Sequence, residues 1–374
     1  MKNEFRHHWQ QLDWDDISLT IYSKTAADVE RALNAHIRSR DDFMALISPA
    51  AQPYLETMAQ EAQRLTRIRF GNTVSLYAPL YLSNLCANDC TYCGFSMSNQ
   101  IKRKTLNAQE IEMECTALNA MGYEHLLLVT GEHQSKVGMA YFRQHLPAIR
   151  SKVSSLMMEV QPLSTQDYAE LKALGLDAVM VYQETYHALT YQQHHLRGNK
   201  QDFFWRLATP ERLGQAGIDK IGLGALIGLS ADWRTDCYFL AEHLSYLQKH
   251  YWQSRYSISF PRLRPCAGGI EPASLMSDAQ LVQLICAFRL FAPDVELSLS
   301  TRESPHFRDH VVPLAINSVS AGSKTQPGGY ANNTPELEQF APHDNRSPQQ
   351  VADALYARGL QPIWKDWDGF LGRN

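Results

Sequence analysis

Eight strand-like runs, most of them near-continuously apolar and separated by helical patterns, limit what this chain can fold into more than any other feature. The runs fall at residues 74–82, 125–130, 155–160, 178–183, 220–228, 256–262, 295–300 and 315–320. A strand with one wet face alternates polar and apolar residues. Continuous apolar runs are what parallel strands covered on both faces require. Helical patterns lie between them at 107–121, 141–152, 166–174, 203–216, 233–252 and 278–290. The first is the clearest. Asn107 and Glu110 form a capping-box start, Ile111, Cys115, Leu118 and Met121 follow one stripe, and Gly122 ends it. Eight strand–helix units predict an α/β fold, a closed (β/α)8 barrel over residues 73–325.

Residues 1–72 predict a helical extension. Thr25 caps a helix carrying Val29, Leu33 and Ile37, and Pro53 opens another with Leu55, Met58, Ala62 and Leu65 on one face, ended by Gly71. These helices are expected on the outside of the barrel. Residues 326–374 are rich in Pro, Gly and Asn, with one helix at 348–358 and an aromatic stretch at 364–370. They are expected to wrap back over the barrel as a C-terminal extension. The net charge of −4 implies no general attraction to nucleic acid. No apolar run approaches the ~20 residues that a membrane span needs. The polar, His- and Asp-rich start has no apolar run of the kind a secretory leader carries. Seven cysteines, three of them clustered, point to a reducing cytoplasm rather than a disulfide framework.

The first predicted strand runs into Asn84-Leu-Cys-Ala-Asn-Asp-Cys-Thr-Tyr-Cys-Gly-Phe-Ser96. Cys86, Cys90 and Cys93 stand in a Cys-x3-Cys-x2-Cys spacing. In a barrel of this kind chemistry sits at the C-terminal ends of the strands, and this loop lands there. Three is the informative number. Structural zinc closes with four ligands and iron–sulfur clusters usually take four cysteines. A four-iron cluster held by three leaves one iron open to a small molecule. The nearest other donors, Cys115 and His125, belong to the next helix and strand.

Other strand ends carry residues of the same kind. Thr130-Gly-Glu132 ends the second run, and a glycine there lets backbone approach a ligand closely. Adjacent His133 reads as a solvated loop histidine. Glu184, in Gln183-Glu-Thr-Tyr186, ends the fourth run, and Arg206 begins the helix after it. Arg302, in Ser300-Thr-Arg-Glu303, can fork two donors onto a carboxylate, or else pair with Glu303. Ser320 ends the eighth run, and the turn-rich loop 325–330 can lie over the mouth.

The cysteine spacing, with Tyr92 just before the third cysteine, resembles the signature of the radical S-adenosylmethionine (SAM) enzymes. Residues 80–86, 183–187, 298–303 and 324–330 together resemble one branch of that superfamily, the aromatic-amino-acid lyases, and within it the tyrosine lyases of bacterial thiamine biosynthesis. The resemblance spans nearly the whole chain. It implies a radical SAM barrel with a 4Fe-4S cluster on Cys86, Cys90 and Cys93, whose open iron binds SAM. It implies that Tyr92, Gly131, Glu132, Glu184 and Arg206 contact SAM, and that the glycine-containing strand 222–229 lies against the adenine. It implies an enzyme that takes a hydrogen atom from tyrosine, breaks its Cα–Cβ bond and releases 2-iminoacetate and p-cresol, with Arg302 and Ser320 on the substrate carboxylate. It also implies a thiazole synthase as partner and reduced flavodoxin or ferredoxin as electron donor. The hydrogenase-maturation tyrosine lyases need a C-terminal Cys-x2-Cys set, and here the last cysteine is Cys286. A tryptophan lyase, biotin-synthase-like sulfur insertion, a non-catalytic SAM-binding scaffold and a zinc-stabilised binding protein are the other readings.

Overall fold

Eight parallel strands close on themselves in the computed structural model, which describes residues 4–332 and 338–365. They are β1 (Thr73–Ser83), β2 (His125–Thr130), β3 (Ser155–Glu159), β4 (Ala178–Met180), β5 (Lys220–Gly224), β6 (Arg255–Ser259), β7 (Glu296–Leu299) and β8 (Ser318–Ser320). Each pairs with the next, and β8 returns to β1 with Ser75 opposite Ser318 and Tyr77 opposite Ser320. Every one of the eight apolar runs contains a strand. β2 is buried along its whole length, as a strand covered on both faces must be.

Several boundaries differ from the sequence expectation. Past β4 the chain stays beside β5 through Val181 N to Gly222 O (3.0 Å) and Gln183 N to Gly224 O (3.2 Å). It then turns at Glu184, whose φ of +70° is positive. The eighth run is shortened because a helix not anticipated from sequence, Pro305–Ala315, occupies its first residue. Pro305 sits in that helix's first turn, where no N–H is needed. The pattern at 203–216 is two helices, Phe203–Leu207 and Thr209–Gln215, because Pro210 suits a helix start and not a helix interior.

The N-terminal segment holds more helices than expected: Phe5–Trp9, Trp14–Ser23, Ala26–Asn34, Arg40–Ile47 and Leu55–Phe70. Thr25 does cap the third through a capping box, but Ile37 lies beyond its end and is 92% exposed. Pro53 belongs to the 3-10 turn Pro49–Tyr54, not to the helix after it. The segment covers the outer helices Trp233–His250 and Asp278–Phe291. Phe5 stacks on His243 at 4.0 Å between ring centres, and Phe43 meets Phe288 edge-on at 4.8 Å.

The tail returns to the barrel. Its helix, Pro348–Tyr356, leads into a short strand, Gln361–Ile363, that pairs in parallel with the start of β1. That strand was not expected from Gln-Pro-Ile, because proline is confined to sheet edges. Trp364 packs edge-on against Tyr123 at 5.5 Å. Residues 366–370 of the aromatic stretch lie outside the described residues. Buried Asp344 binds both Arg308 and Arg346, fastening residues 338–346 to the helix Pro305–Ala315. Among the described residues no helix is long and apolar enough to cross a membrane.

Candidate active site

One cavity opens at the C-terminal ends of the strands, and all ten residues singled out from sequence line it: Cys86, Cys90, Tyr92, Cys93, Gly131, Glu132, Glu184, Arg206, Arg302 and Ser320. The cysteine loop is held by hydrogen bonds rather than by regular structure. The Arg103 guanidinium donates to the carbonyls of Asn84, Phe95 and Ser96 at 2.8, 2.8 and 2.7 Å. Asp89 accepts from the Ser96 hydroxyl at 2.6 Å, and that hydroxyl accepts the Cys90 N–H at 2.9 Å. Asp89–Cys90 also bridges His195–Arg197 in a short antiparallel pair. Beneath the loop, Tyr81, Phe95, Leu127 and Val129 form an apolar bed against Cys86 and Cys93. Burial pushes the Cys86 thiol up to about 11 and the Cys90 thiol further. Bare thiolates are disfavoured here, and a bound iron centre supplies the positive charge that reverses this.

A buried charge network joins this loop to the ends of β2 and β4. Arg206 donates through Nε to the Tyr182 carbonyl at 2.7 Å and through Nη1 to Glu132 at 3.0 Å, and its Nη2 lies 3.5 Å from Glu184. Lys200 Nζ donates to Glu184 at 2.7 Å. Burial raises the Glu184 carboxyl, and Lys200 and Arg206 outweigh it, so the group sits below the ordinary carboxylate range. Asn88 donates to Glu132 at 2.8 Å and accepts the Lys200 N–H at 3.1 Å, which ties the cysteine loop to both acids. Tyr92 Oη donates to His195 Nε2 (2.7 Å), whose Nδ1–H goes to the Tyr191 carbonyl (2.6 Å).

Gly131 has a packing reason to be glycine. A Cβ there would meet the Leu85 carbonyl oxygen at 2.4 Å, and Leu85 belongs to the cysteine loop. Gly131→Ala is expected to displace that loop, with a loss of about 1–3 kcal/mol in urea unfolding and a lower iron content after reconstitution. Gly222 and Gly224 have a structural reason too. A Cβ would meet Met180 Sδ at 2.0 Å and the Tyr182 ring at 2.8 Å, so these glycines make room for side chains of the neighbouring strand. His133 faces an adjoining groove, not the cavity, as the solvated reading has it.

The far wall holds the substrate candidates. Glu303 pairs with Arg262, 2.9 Å at Nε, and not with Arg302. Arg302 instead lies over the Phe340 ring, its guanidinium carbon 3.7 Å from the ring centre, and makes no ion pair among the described residues. Ser320 Oγ accepts the Thr301 N–H at 3.1 Å and also meets the Tyr77 hydroxyl. Over the mouth lies the segment containing Gln339 and Phe340. Gln339 accepts from Tyr81 Oη at 2.8 Å, and its carbonyl oxygen would stand 2.3 Å from a Cβ on Gly94. Thr325 ties this segment down by donating to the Phe340 carbonyl at 2.7 Å. The loop 325–330 therefore supports the cover while residues 339–340 form it.

Two family models match the chain: the Radical SAM superfamily over residues 80–240, and the Biotin and Thiamin Synthesis associated domain over residues 259–361. A 2-iminoacetate synthase from Salmonella typhimurium is 74% identical over 369 residues, which is 99% of this chain and 98% of the relative. The chain belongs to the 2-iminoacetate synthase family. A 2-iminoacetate synthase from Escherichia coli is similar to the same extent. Among solved structures, the hydrogenase maturase HydG superposes with a TM-score of 0.90 at 30% identity, covering 96% of this chain and 82% of that one. As a radical SAM enzyme of this family the chain uses a 4Fe-4S cluster and SAM.

The residues present fit those groups. Three buried polar atoms on the cavity wall, Thr130 Oγ1, Arg264 Nε and Ser323 Oγ, have no partner among the described residues, which suits a polar ligand entering the site. The sulfurs lie on an apolar bed. Sequence reasoning missed Asn88, Lys200, His195, Gln339, Arg264 and Glu159. Asn88 stands within the cysteine motif itself, and the others come from separate elements that only the closed barrel brings together.

Proposed function

We propose that this member of the 2-iminoacetate synthase family cleaves tyrosine between Cα and Cβ. The products are 2-iminoacetate and p-cresol, with methionine and 5′-deoxyadenosine from SAM, for thiamine thiazole synthesis. The observation that carries the residue assignment is the shared cavity. Three cysteines, a paired acid–base network and an unpaired Arg302 face one space beneath one cover. Cys86, Cys90 and Cys93 hold the cluster, and Tyr92, Gly131, Glu132, Glu184 and Arg206 surround SAM. When bound, the cluster and SAM supply the hydrogen-atom acceptor that the protein's own side chains lack.

The chain's residues do the rest. Arg302, seated over Phe340, presents its fork to the tyrosine carboxylate, and Ser320 donates a second hydrogen bond. The Tyr77 and Tyr182 hydroxyls are taken up by Ser298 (3.4 Å) and Ser259 (3.1 Å), so they shape the pocket rather than act on the phenol. Gln339 and Phe340 keep water out, which protects reactive species from quenching. Arg302→Lys keeps the charge and loses the fork. Its kcat/KM for tyrosine is expected to fall about 100-fold while SAM cleavage without tyrosine is unchanged. Unchanged kcat/KM would remove Arg302 from the carboxylate.

The deciding experiment is anaerobic turnover of the reconstituted protein with dithionite, SAM and tyrosine. Cresol, 5′-deoxyadenosine and glyoxylate (from hydrolysed 2-iminoacetate), with no carbon monoxide or cyanide, support the reading. Deoxyadenosine without cresol moves the substrate elsewhere. Because 2-iminoacetate hydrolyses readily, a docked thiazole synthase is the fitting acceptor, with reduced flavodoxin or ferredoxin as donor. All seven cysteines are free, which suits a reducing cytoplasm.

A further inference from the structure

We propose that Glu159 receives the α-ammonium of the tyrosine whose carboxylate Arg302 holds, and takes a proton from it. This rests on the tyrosine reading above and adds a group to it. Most charges on the cavity wall are already satisfied. Glu132 is bound by Arg206 and Asn88, Glu184 by Lys200, and Glu303 by Arg262. Glu159 is the cavity's remaining carboxylate, and it makes no hydrogen bond or ion pair among the described residues. On the cationic side Arg302 is likewise unpaired, as is Arg264. A carboxylate left without partners in a buried space is costly unless a ligand satisfies it. A zwitterionic amino acid carries one charge for each of Glu159 and Arg302, and the two do not cancel each other directly.

Strand geometry aims Glu159 into this space. It is the last residue of β3, and side chains two apart share a face. Met157, two residues earlier, packs inside the barrel with Tyr81, Leu127 and Met180. The neighbouring hydroxyls do not serve Glu159. Tyr77, Tyr81 and Tyr182 are engaged by Ser298, Gln339 and Ser259. Burial first, and then the Glu184 charge, raise the Glu159 carboxyl to about 7 against the pull of Arg302, Lys200 and Arg206. A base in that range is matched to neutral pH. In the step, one ammonium N–H bond breaks and an O–H bond forms on Glu159. The amine and the carboxyl both become neutral, total charge is conserved and no electron moves.

The test uses the anaerobically reconstituted holoenzyme with SAM. Wild-type protein must first give cresol from tyrosine. If it does not, the tyrosine reading fails, whatever Glu159 does. With wild-type activity in hand, Glu159→Gln is expected to lower kcat/KM for tyrosine about 100-fold. The inhibition constant of 3-(4-hydroxyphenyl)propanoate, which has the ring and carboxylate but no amino group, should change less than about 2-fold. Arg302→Lys should weaken both ligands. Glu159→Asp, which keeps the charge on a shorter arm, should recover about 10-fold of the loss. A Glu159→Gln enzyme within about 3-fold of wild type on tyrosine, or equal losses for tyrosine and the analogue, overturns the proposal. If Glu159→Gln does not hold its cluster, the same comparison is made with Glu159→Asp, where equal losses for both ligands overturn it.

Discussion

Cys90→Ala is expected to end cresol formation while leaving the barrel folded. Of the three clustered cysteines Cys90 is the most enclosed, 5% exposed, with its backbone N–H bound to Ser96 and its strand paired with residues 195–197. Its backbone therefore stays in place when the sulfur is removed, and alanine is a tolerable small apolar replacement. What is lost is one of three donors to the cluster. Changes to groups that merely support a ligand cost roughly 10–100-fold, so loss of a ligand should leave turnover below about one-thousandth of wild type. Iron and sulfide should fall well below the roughly four of each that an intact cluster carries. The melting temperature of unreconstituted protein should scarcely move. Cresol production retained in this variant would overturn the ligand assignment, and a collapsed melting temperature would show that the thiol is structural instead.

Arg206→Met should produce the largest stability effect of any single change in the cavity. The guanidinium is buried and serves the Tyr182 carbonyl and two carboxylates at once. Without it Glu132 keeps only Asn88, and Glu184 keeps only Lys200. Breaking a buried pair by removing one partner costs about 3–5 kcal/mol, because the other charge stays behind. The surviving partners place this case near the lower figure. For a chain of this size that corresponds to a fall of roughly 4 °C in melting temperature, and SAM binding measured by calorimetry should weaken with it. Arg206→Lys should restore part of the stability but not the fork onto Glu132 and the Tyr182 carbonyl. An unchanged melting temperature with unchanged SAM affinity would show that the network is dispensable.

The barrel was legible in the sequence because burial on both faces leaves a local trace. Most strands are apolar runs, and helix starts such as Asn107–Glu110 carry their caps within four residues. The site was legible where its chemistry is also local, as in the cysteine spacing and the Thr130-Gly-Glu132 turn. Elsewhere it was not. Glu159 reads as a polar residue closing a Met-Met-Glu strand, and Lys200 as one of several charges in a surface loop. Nothing near either residue says that Glu159 is left unpartnered or that Lys200 reaches Glu184. The choice between a carboxylate clamp and an Arg302–Glu303 pair stayed open in the sequence for the same reason. Glu303 turns to Arg262, 41 residues earlier in the chain, and that choice frees Arg302. The tail strand was hidden by its proline, which an edge position beside β1 tolerates.

The cover over the cavity also sets a timetable. Gln339 lies 246 residues after Cys93, whose sulfur its side-chain amide approaches at 3.6 Å. A ribosome therefore releases the three cysteines long before it makes the segment that shuts them in. The strand that closes the barrel, β8, arrives only shortly before that segment. Seams joining such distant residues are among the slowest parts of a fold to form. The wall over the three cysteines therefore depends on contacts that span most of the chain, and it is among the last parts of the site to be in place.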